Sequence, residues 1–246
     1  MNNILIFDHI NMSFYDLKKE TKVLKDLSFK IQKEKIYILI GPSGSGKSTT
    51  LNLMADIIKP SSGTIDKPVN IGYMFQNDNL LEWLNILDNV LIGLKIKKQL
   101  NSKNKELAIN LLTKYGLKDF IYSYPKELSG GMRQRVSLIR AIILNPSLLL
   151  LDEPFSALDS QTRMEVSNDI YQIIKELKIT TIMVTHDVAE AIAMADNIFI
   201  LSNRPATIIN DIKIEINDLL PNERRNHPLF KDYFQLIWGE INDKRT

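Results

Sequence analysis

The sequence predicts an α/β protein built on a mainly parallel sheet. Short apolar runs of strand length recur along the chain: Ile36-Tyr37-Ile38-Leu39-Ile40, Leu148-Leu149-Leu150-Leu151, Thr181-Ile182-Met183-Val184 and Ile198-Phe199-Ile200-Leu201. Helical stretches separate the later ones, and strands alternating with helices favour parallel pairing. The first run leads straight into Gly41-Pro42-Ser43-Gly44-Ser45-Gly46-Lys47-Ser48, which fits Gly-x-x-x-x-Gly-Lys-Ser/Thr. Between about residues 85 and 146 strand-like runs vanish and helical periodicity takes over, at Leu87, Val90, Leu91 and Leu94 and then at Leu107, Ile109, Leu111 and Leu112. The expected architecture is a P-loop NTPase core with a mainly parallel sheet, an N-terminal antiparallel β portion and an inserted helical subdomain.

Residues 3 to 9 and 22 to 40 read as strands, with Ile4, Ile6, Val23, Leu27, Phe29 and Ile31 as apolar positions. After the glycine loop, Thr49 to Ile58 reads as a helix with Leu51, Met54, Ala55 and Ile58 on its apolar side. Lys59-Pro60-Ser61-Ser62-Gly63 ends it, and Thr64-Ile65-Asp66 is a further short strand. A long helix is expected from about Met132 to Leu144, and others near 160 to 177 and 187 to 195. Leu229, Phe230, Tyr233, Phe234, Ile237 and Trp238 fall close to helical spacing, so the tail should hold an amphipathic helix. Packing on the core is its first reading, and a membrane-surface role the alternative. The expected division of the single domain is an α/β core at 1–76 and 140–215, the helical insertion at 77–139 and a tail at 216–246.

Composition narrows the function classes. The chain has 246 residues, enough for one large domain, and 44% apolar residues, enough for a core. A net charge of +2 gives no nucleic-acid bias. Cysteine is absent, which excludes a disulfide framework and agrees with a cytosolic setting. The first residues lack the basic and apolar regions of a signal peptide, and no stretch approaches the ~18 apolar residues of a membrane span.

The glycine loop carries the main chemistry. Strand, loop and helix let consecutive N–H groups turn toward a polyphosphate, and the helix N-terminus adds positive potential. Gly41, Ser43, Gly44, Ser45, Gly46 and Thr49 are the expected cradle. Lys47 can reach the β- and γ-phosphates, and the Ser48 hydroxyl can ligate Mg²⁺. The apolar run 148–151 ends in Asp152 and Glu153, and ligands of open α/β sheets sit beyond the carboxyl ends of strands. Asp152 is therefore expected to hold Mg²⁺ through water, and Glu153 to polarise the attacking water. Leu128-Ser129-Gly130-Gly131-Met132-Arg133-Gln134-Arg135 offers a second Ser-Gly-Gly anion cradle at a helix start, although the chain has no second P-loop. A simple solution is that Ser129, Gly130 and Gly131 serve a nucleotide bound by another copy; on the tripeptide alone, a plain capped helix start is the favoured reading.

That octet resembles the signature sequence of ATP-binding-cassette (ABC) ATPases, and the other motifs stand in that family's order. Gln76 in Tyr73-Met74-Phe75-Gln76 resembles the Q-loop glutamine, Ser156-Ala157-Leu158-Asp159 the D-loop, and His186 in Val184-Thr185-His186-Asp187 the switch histidine. The resemblance implies that Gln76 touches Mg²⁺ and the attacking water, that His186 bonds the γ-phosphate, and that Asp159 lies at the seam of a head-to-tail homodimer. It also implies an aromatic stacked on adenine, for which Phe14 aligns best and Tyr15 is the rival. Residues 79–90 and 195–205 are similar to segments of nitrate, sulfonate and taurine importers, a subgroup that includes transporters of vitamin precursors; Glu82 stands where those importers commonly carry proline. Trp83 is expected either to meet a membrane partner or to close a satellite core.

The expected function is thus an ATPase subunit using ATP and Mg²⁺ at the cytoplasmic face of the membrane. Its expected partners are a second copy, integral permease subunits and, indirectly, a solute-binding protein, with no nucleic acid. An exporter subunit and a non-transport ABC ATPase are the alternatives.

Overall fold

A computed structural model of the chain describes residues 3–16 and 19–243. The elements run β1 (Asn3–Asp16), β2 (Lys19–Gln32), β3 (Ile36–Ile40), α1 (Lys47–Met54), β4 (Ser62–Asp66), β5 (Ile71–Met74), α2 (Ile86–Ile96), α3 (Ser102–Lys114), α4 (Gly130–Ile142), β6 (Leu148–Asp152), α5 (Ser160–Glu176), β7 (Thr180–Thr185), α6 (Val188–Met194), β8 (Asn197–Leu201), β9 (Ile208–Lys213), α7 (Pro221–Arg224) and α8 (Leu229–Asp243). Two sheets form: an antiparallel one ordered β2-β1-β4, and a six-stranded one ordered β5-β6-β7-β3-β8-β9. All pairings of the second sheet are parallel except the β8–β9 edge, where Ile198 faces Ile212.

Side-chain alternation divides the core. Ile36, Ile38 and Ile40 of β3 face a cluster that includes α5, α6 and α8, whereas Tyr37 and Leu39 face the antiparallel sheet and α1. β6 splits likewise, with Leu149 and Leu151 on the first side and Leu148 and Leu150 on the second. Burial on both faces is why these strands read as unbroken apolar runs. A third cluster, with Ile86, Val90, Leu112, Val136 and Ile139, is the apolar interior of the helical segment. The tail helix α8 buries Ile237 and Ile241 in the first cluster, while Trp238 stays half exposed. Residues 244–246 of the expected tail lie outside the described residues.

Several boundaries move for local reasons. The stretch 22–40 is two strands, broken where Glu34 takes a left-handed φ of 61°. The P-loop helix starts at Lys47 rather than Thr49 and ends at Met54 rather than Ile58, just before Asp56 with φ 64°. The long helix starts at Gly130 rather than Met132, because Ser129 is its N-cap, and it ends at Ile142. β5 and β9 were not expected, the first being only four residues long and the second a hairpin edge.

Candidate active site

The turn from β3 into α1 forms the loop expected to cradle phosphate. Gly46 sits at φ 98°, a conformation that a side chain would strain, and it brings the first N–H groups of α1 toward the loop. Lys47 is buried and its Nζ donates to the carbonyls of Gly41 at 2.9 Å and Pro42 at 3.0 Å. Burial lowers the pKa of this ammonium, and the charges of Glu153 and Asp152 partly restore it. A phosphoryl oxygen offers the same ammonium a full counter-charge, which is stronger than two neutral carbonyls.

The carboxyl ends of β5, β6 and β7 converge on this cradle. Ser48 Oγ donates to Asp152 Oδ1 at 3.1 Å, and Tyr73 Oη approaches Asp152 Oδ2 at 3.5 Å. Burial raises the Asp152 pKa, against the lowering effect of the Ser48 hydrogen bond. Glu153 follows with a left-handed φ of 43°, a costly backbone for a non-glycine residue and one that recurs at active sites. Its N–H is held by Val184 O at 3.0 Å. Its Oε2 lies 3.3 Å from Gln76 Nε2 and 3.2 Å from His186 Nδ1. Three expected catalytic side chains from three separate loops therefore meet at one carboxylate oxygen. Ser48, Asp152 and the Gln76 amide supply hard oxygen donors of the kind magnesium prefers, with substrate phosphates completing such a shell. Among the described residues no group of three or more His, Cys, Asp or Glu forms a metal cage.

A cavity of about 910 Å³ opens over these groups. Of the expected residues, Phe14, Gly41, Ser43, Gly44, Gly46, Lys47, Ser48, Thr49, Gln76, Glu153 and His186 line it. Phe14 stands at its wall and half exposed, whereas Tyr15 lies outside the lining, 75% exposed, with its hydroxyl 3.4 Å from Glu20. Ser45 does not line the cavity: its side chain is buried with Oγ unpartnered, and its N–H is bonded to Pro42 O. Asp152 sits behind Ser48 rather than in the wall.

Ser129, Gly130, Gly131 and Asp159 are elsewhere in the same chain and do not touch this cavity. Ser129 Oγ accepts from Met132 N at 3.4 Å and caps α4. Asp159 accepts from Gln161 N and Thr162 N, both at 3.1 Å, and caps α5. The segment after Gln76 is tied to α4, since Arg133 bridges Asp78 at 2.7 Å and Glu82 at 2.8 Å. Trp83 next to it is 73% exposed and closes no core.

Sequence reasoning missed several residues at the site. Thr21 and Val23 enter the cavity wall from β2, Arg204 from the β8–β9 connection, and Trp238 and Ile241 from α8. Behind His186, Glu190 is buried, accepts from Thr185 Oγ1 at 2.8 Å and lies 3.5 Å from Arg163. Burial pushes the Glu190 pKa up. Arg204 falls within the segment 195–205 that resembles importer sequences, and no local pattern marks the others.

A family model described as "ABC transporter" matches residues 24–156. The chain belongs to the ABC transporter family. It is 45% identical to an uncharacterized ABC transporter ATP-binding protein of Bacillus subtilis, over 98% of this chain and 96% of that one. It is 40% identical to the aliphatic sulfonates import ATP-binding protein of Corynebacterium glutamicum, over 89% of each. It is 36% identical to the nitrate import ATP-binding protein of Synechocystis, over 96% of this chain and 94% of that one. A dimeric ATP-binding cassette in a post-hydrolysis state, bound to ADP and Pi, superposes with a TM-score of 0.75 at 27% identity, covering 86% of this chain and 99% of that chain. This ABC protein is an ATPase.

Proposed function

We propose that this ABC ATPase energises a solute importer by closing a homodimer around ATP. The carrying observation is the meeting of Gln76, Glu153 and His186 at the mouth of the P-loop cavity, with Ser129 and Gly131 held at a remote helix start. Lys47 and the loop amides bind the polyphosphate, and Phe14 stacks on the adenine. Glu153 accepts the proton of the attacking water, while His186 and Gln76 hold that carboxylate in line. Ser48, Gln76 and, through water, Asp152 would hold Mg²⁺, which would supply positive charge to offset that of the polyphosphate. Ser129, Gly131 and Asp159 of a second copy complete each site. Catalysis is then positioning and charge stabilisation, and dimer closure delivers the mechanical output.

Relatives named for sulfonate and nitrate import support the importer reading. Trp83, exposed on the segment that Arg133 ties to the signature helix, carries motion from Gln76 toward a membrane permease. Among the described residues no helix is long and apolar enough to cross a membrane. In the proposed complex a separate permease spans the membrane, and the ATPase sits peripherally on its cytoplasmic side. Selectivity for the solute resides in that permease and a solute-binding protein.

Single-cysteine pairs at Ser43 and Ser129 test the dimer in this cysteine-free chain. Disulfide trapping between copies that rises with ATP supports the reading. Equal trapping with and without ATP, or ATPase activity unaffected by Ser129→Arg, overturns it.

A further inference from the structure

The connection between β8 and β9 is fastened to the strands that flank the nucleotide cavity. Ser202 N donates to Thr207 O at 3.0 Å, and Ser202 Oγ accepts from Thr207 N at 3.1 Å, closing the loop on itself. Ala206 N donates to Val23 O at 2.8 Å and Ala206 O accepts from Lys25 N at 3.0 Å, pinning the loop to β2. Its tip residue, Arg204, is therefore held by backbone bonds on both sides.

The Arg204 guanidinium lies directly over the phosphate loop. A Cβ on Gly44 would stand 2.8 Å from Arg204 Nη2, and Gly44 also takes a φ of 76°. The absence of a side chain at Gly44 is what lets the guanidinium approach the loop this closely. Arg204 is exposed, lines the same cavity as Phe14 and Lys47, and forms no ion pair with a carboxylate among the described residues. A guanidinium is always charged and presents forked donors that match phosphate oxygens. A cation anchored by its loop, paired with no carboxylate among the described residues and lining the cavity over the P-loop, is arranged for an anionic ligand.

We infer that Arg204 is a second cationic contact of this site, binding the polyphosphate of the adenine nucleotide from the side of the loop opposite α1. Lys47 reaches the polyphosphate from the start of α1, and Arg204 clamps it across Gly44. The inference rests on the ATPase reading of the cavity and extends it to a residue outside the P-loop.

The test is displacement of a fluorescent ADP analogue from the full chain by ADP and by adenosine, in wild type, Arg204→Gln, Arg204→Lys and Phe14→Ala. Charge-assisted contacts of this kind are worth about tenfold or more in affinity. Arg204→Gln is expected to weaken ADP about tenfold and leave adenosine unchanged. Arg204→Lys should lie between wild type and Arg204→Gln, because it keeps the charge and loses the fork. Phe14→Ala should weaken ADP and adenosine together. ADP affinity unchanged in Arg204→Gln overturns the inference, as do equal losses for ADP and adenosine. A loss of dimer formation in Arg204→Gln with unaltered ADP affinity also overturns it, assigning Arg204 to the subunit seam. Wild-type protein that binds no analogue would overturn the reading of the cavity as well, so the two failures are distinct.

Discussion

Gly131 gives a direct way to separate packing from chemistry in the signature segment. It lies in the first turn of α4, where an added Cβ would stand 2.7 Å from Thr162 Cγ2 and 3.2 Å from Val166 Cγ2 of α5. Carbon atoms rest comfortably at about 3.5–4.0 Å, so Gly131→Ala must push α4 and α5 apart by about 1 Å or rotate Thr162. Overpacking of this kind costs about 1–3 kcal/mol. For a chain of this size each kcal/mol lowers Tm by roughly 2–4 °C. Thermal and urea unfolding of Gly131→Ala should thus show a fall of about 2–12 °C, combining those two ranges. Adding Thr162→Ser removes the obstructing methyl and should restore most of that stability. On the proposed closed dimer, in which the second copy's nucleotide meets the bare backbone at Gly131, ATP hydrolysis should stay low in the double variant. A Gly131→Ala protein as stable as wild type would refute the packing argument. Full ATPase activity in the rescued double variant would remove Gly131 from the nucleotide contact.

Glu153→Gln keeps the shape of the group at the Gln76–His186 junction and removes its basicity. Phosphate release should drop by about 10²–10⁴ with ATP binding retained, and wild-type turnover would discard Glu153 as the base. Phe14→Ala should weaken ADP by the roughly 1–3 kcal/mol of one base stack, whereas Tyr15→Ala, outside the cavity wall, should leave the dissociation constant unchanged. Equal effects of the two would reject the choice of Phe14. Burial raises the folded-state pKa of Glu190 above its unfolded value, so the folded chain holds more protons and stability falls as pH rises through that interval. Glu190→Gln should therefore lose less stability than wild type as pH climbs from about 4.3, the ordinary glutamate value, toward neutrality. Parallel stability curves from urea titrations across that range would contradict the burial effect.

Much of the site is local in sequence and was readable there. The turn from Ile40 to Ser48 needs its residue types within one stretch, because consecutive N–H groups of one backbone do the binding. The same holds for the apolar run that ends in Asp152 and Glu153. Boundaries were less legible. A glutamate at φ 61° broke the stretch expected to run from 22 to 40, and no propensity marks Glu34 for that conformation. β5, only four residues long, is defined by its parallel pairing to β6, with Tyr73 opposite Leu150, and pairing is a property of two segments.

By itself, the sequence determined the P-loop, the acidic pair, the family and the α/β architecture, since each is written in contiguous residues or in the order of motifs. Tertiary structure alone decided what surrounds the cavity over the P-loop. Arg204 reaches Gly44 because the β8–β9 loop is bonded back to β2, some 180 residues earlier in the chain. Trp238 reaches the rim because Ile237 and Ile241 seat α8 in the core. Contacts across such separations depend on sheet order and helix docking, which local periodicity does not encode.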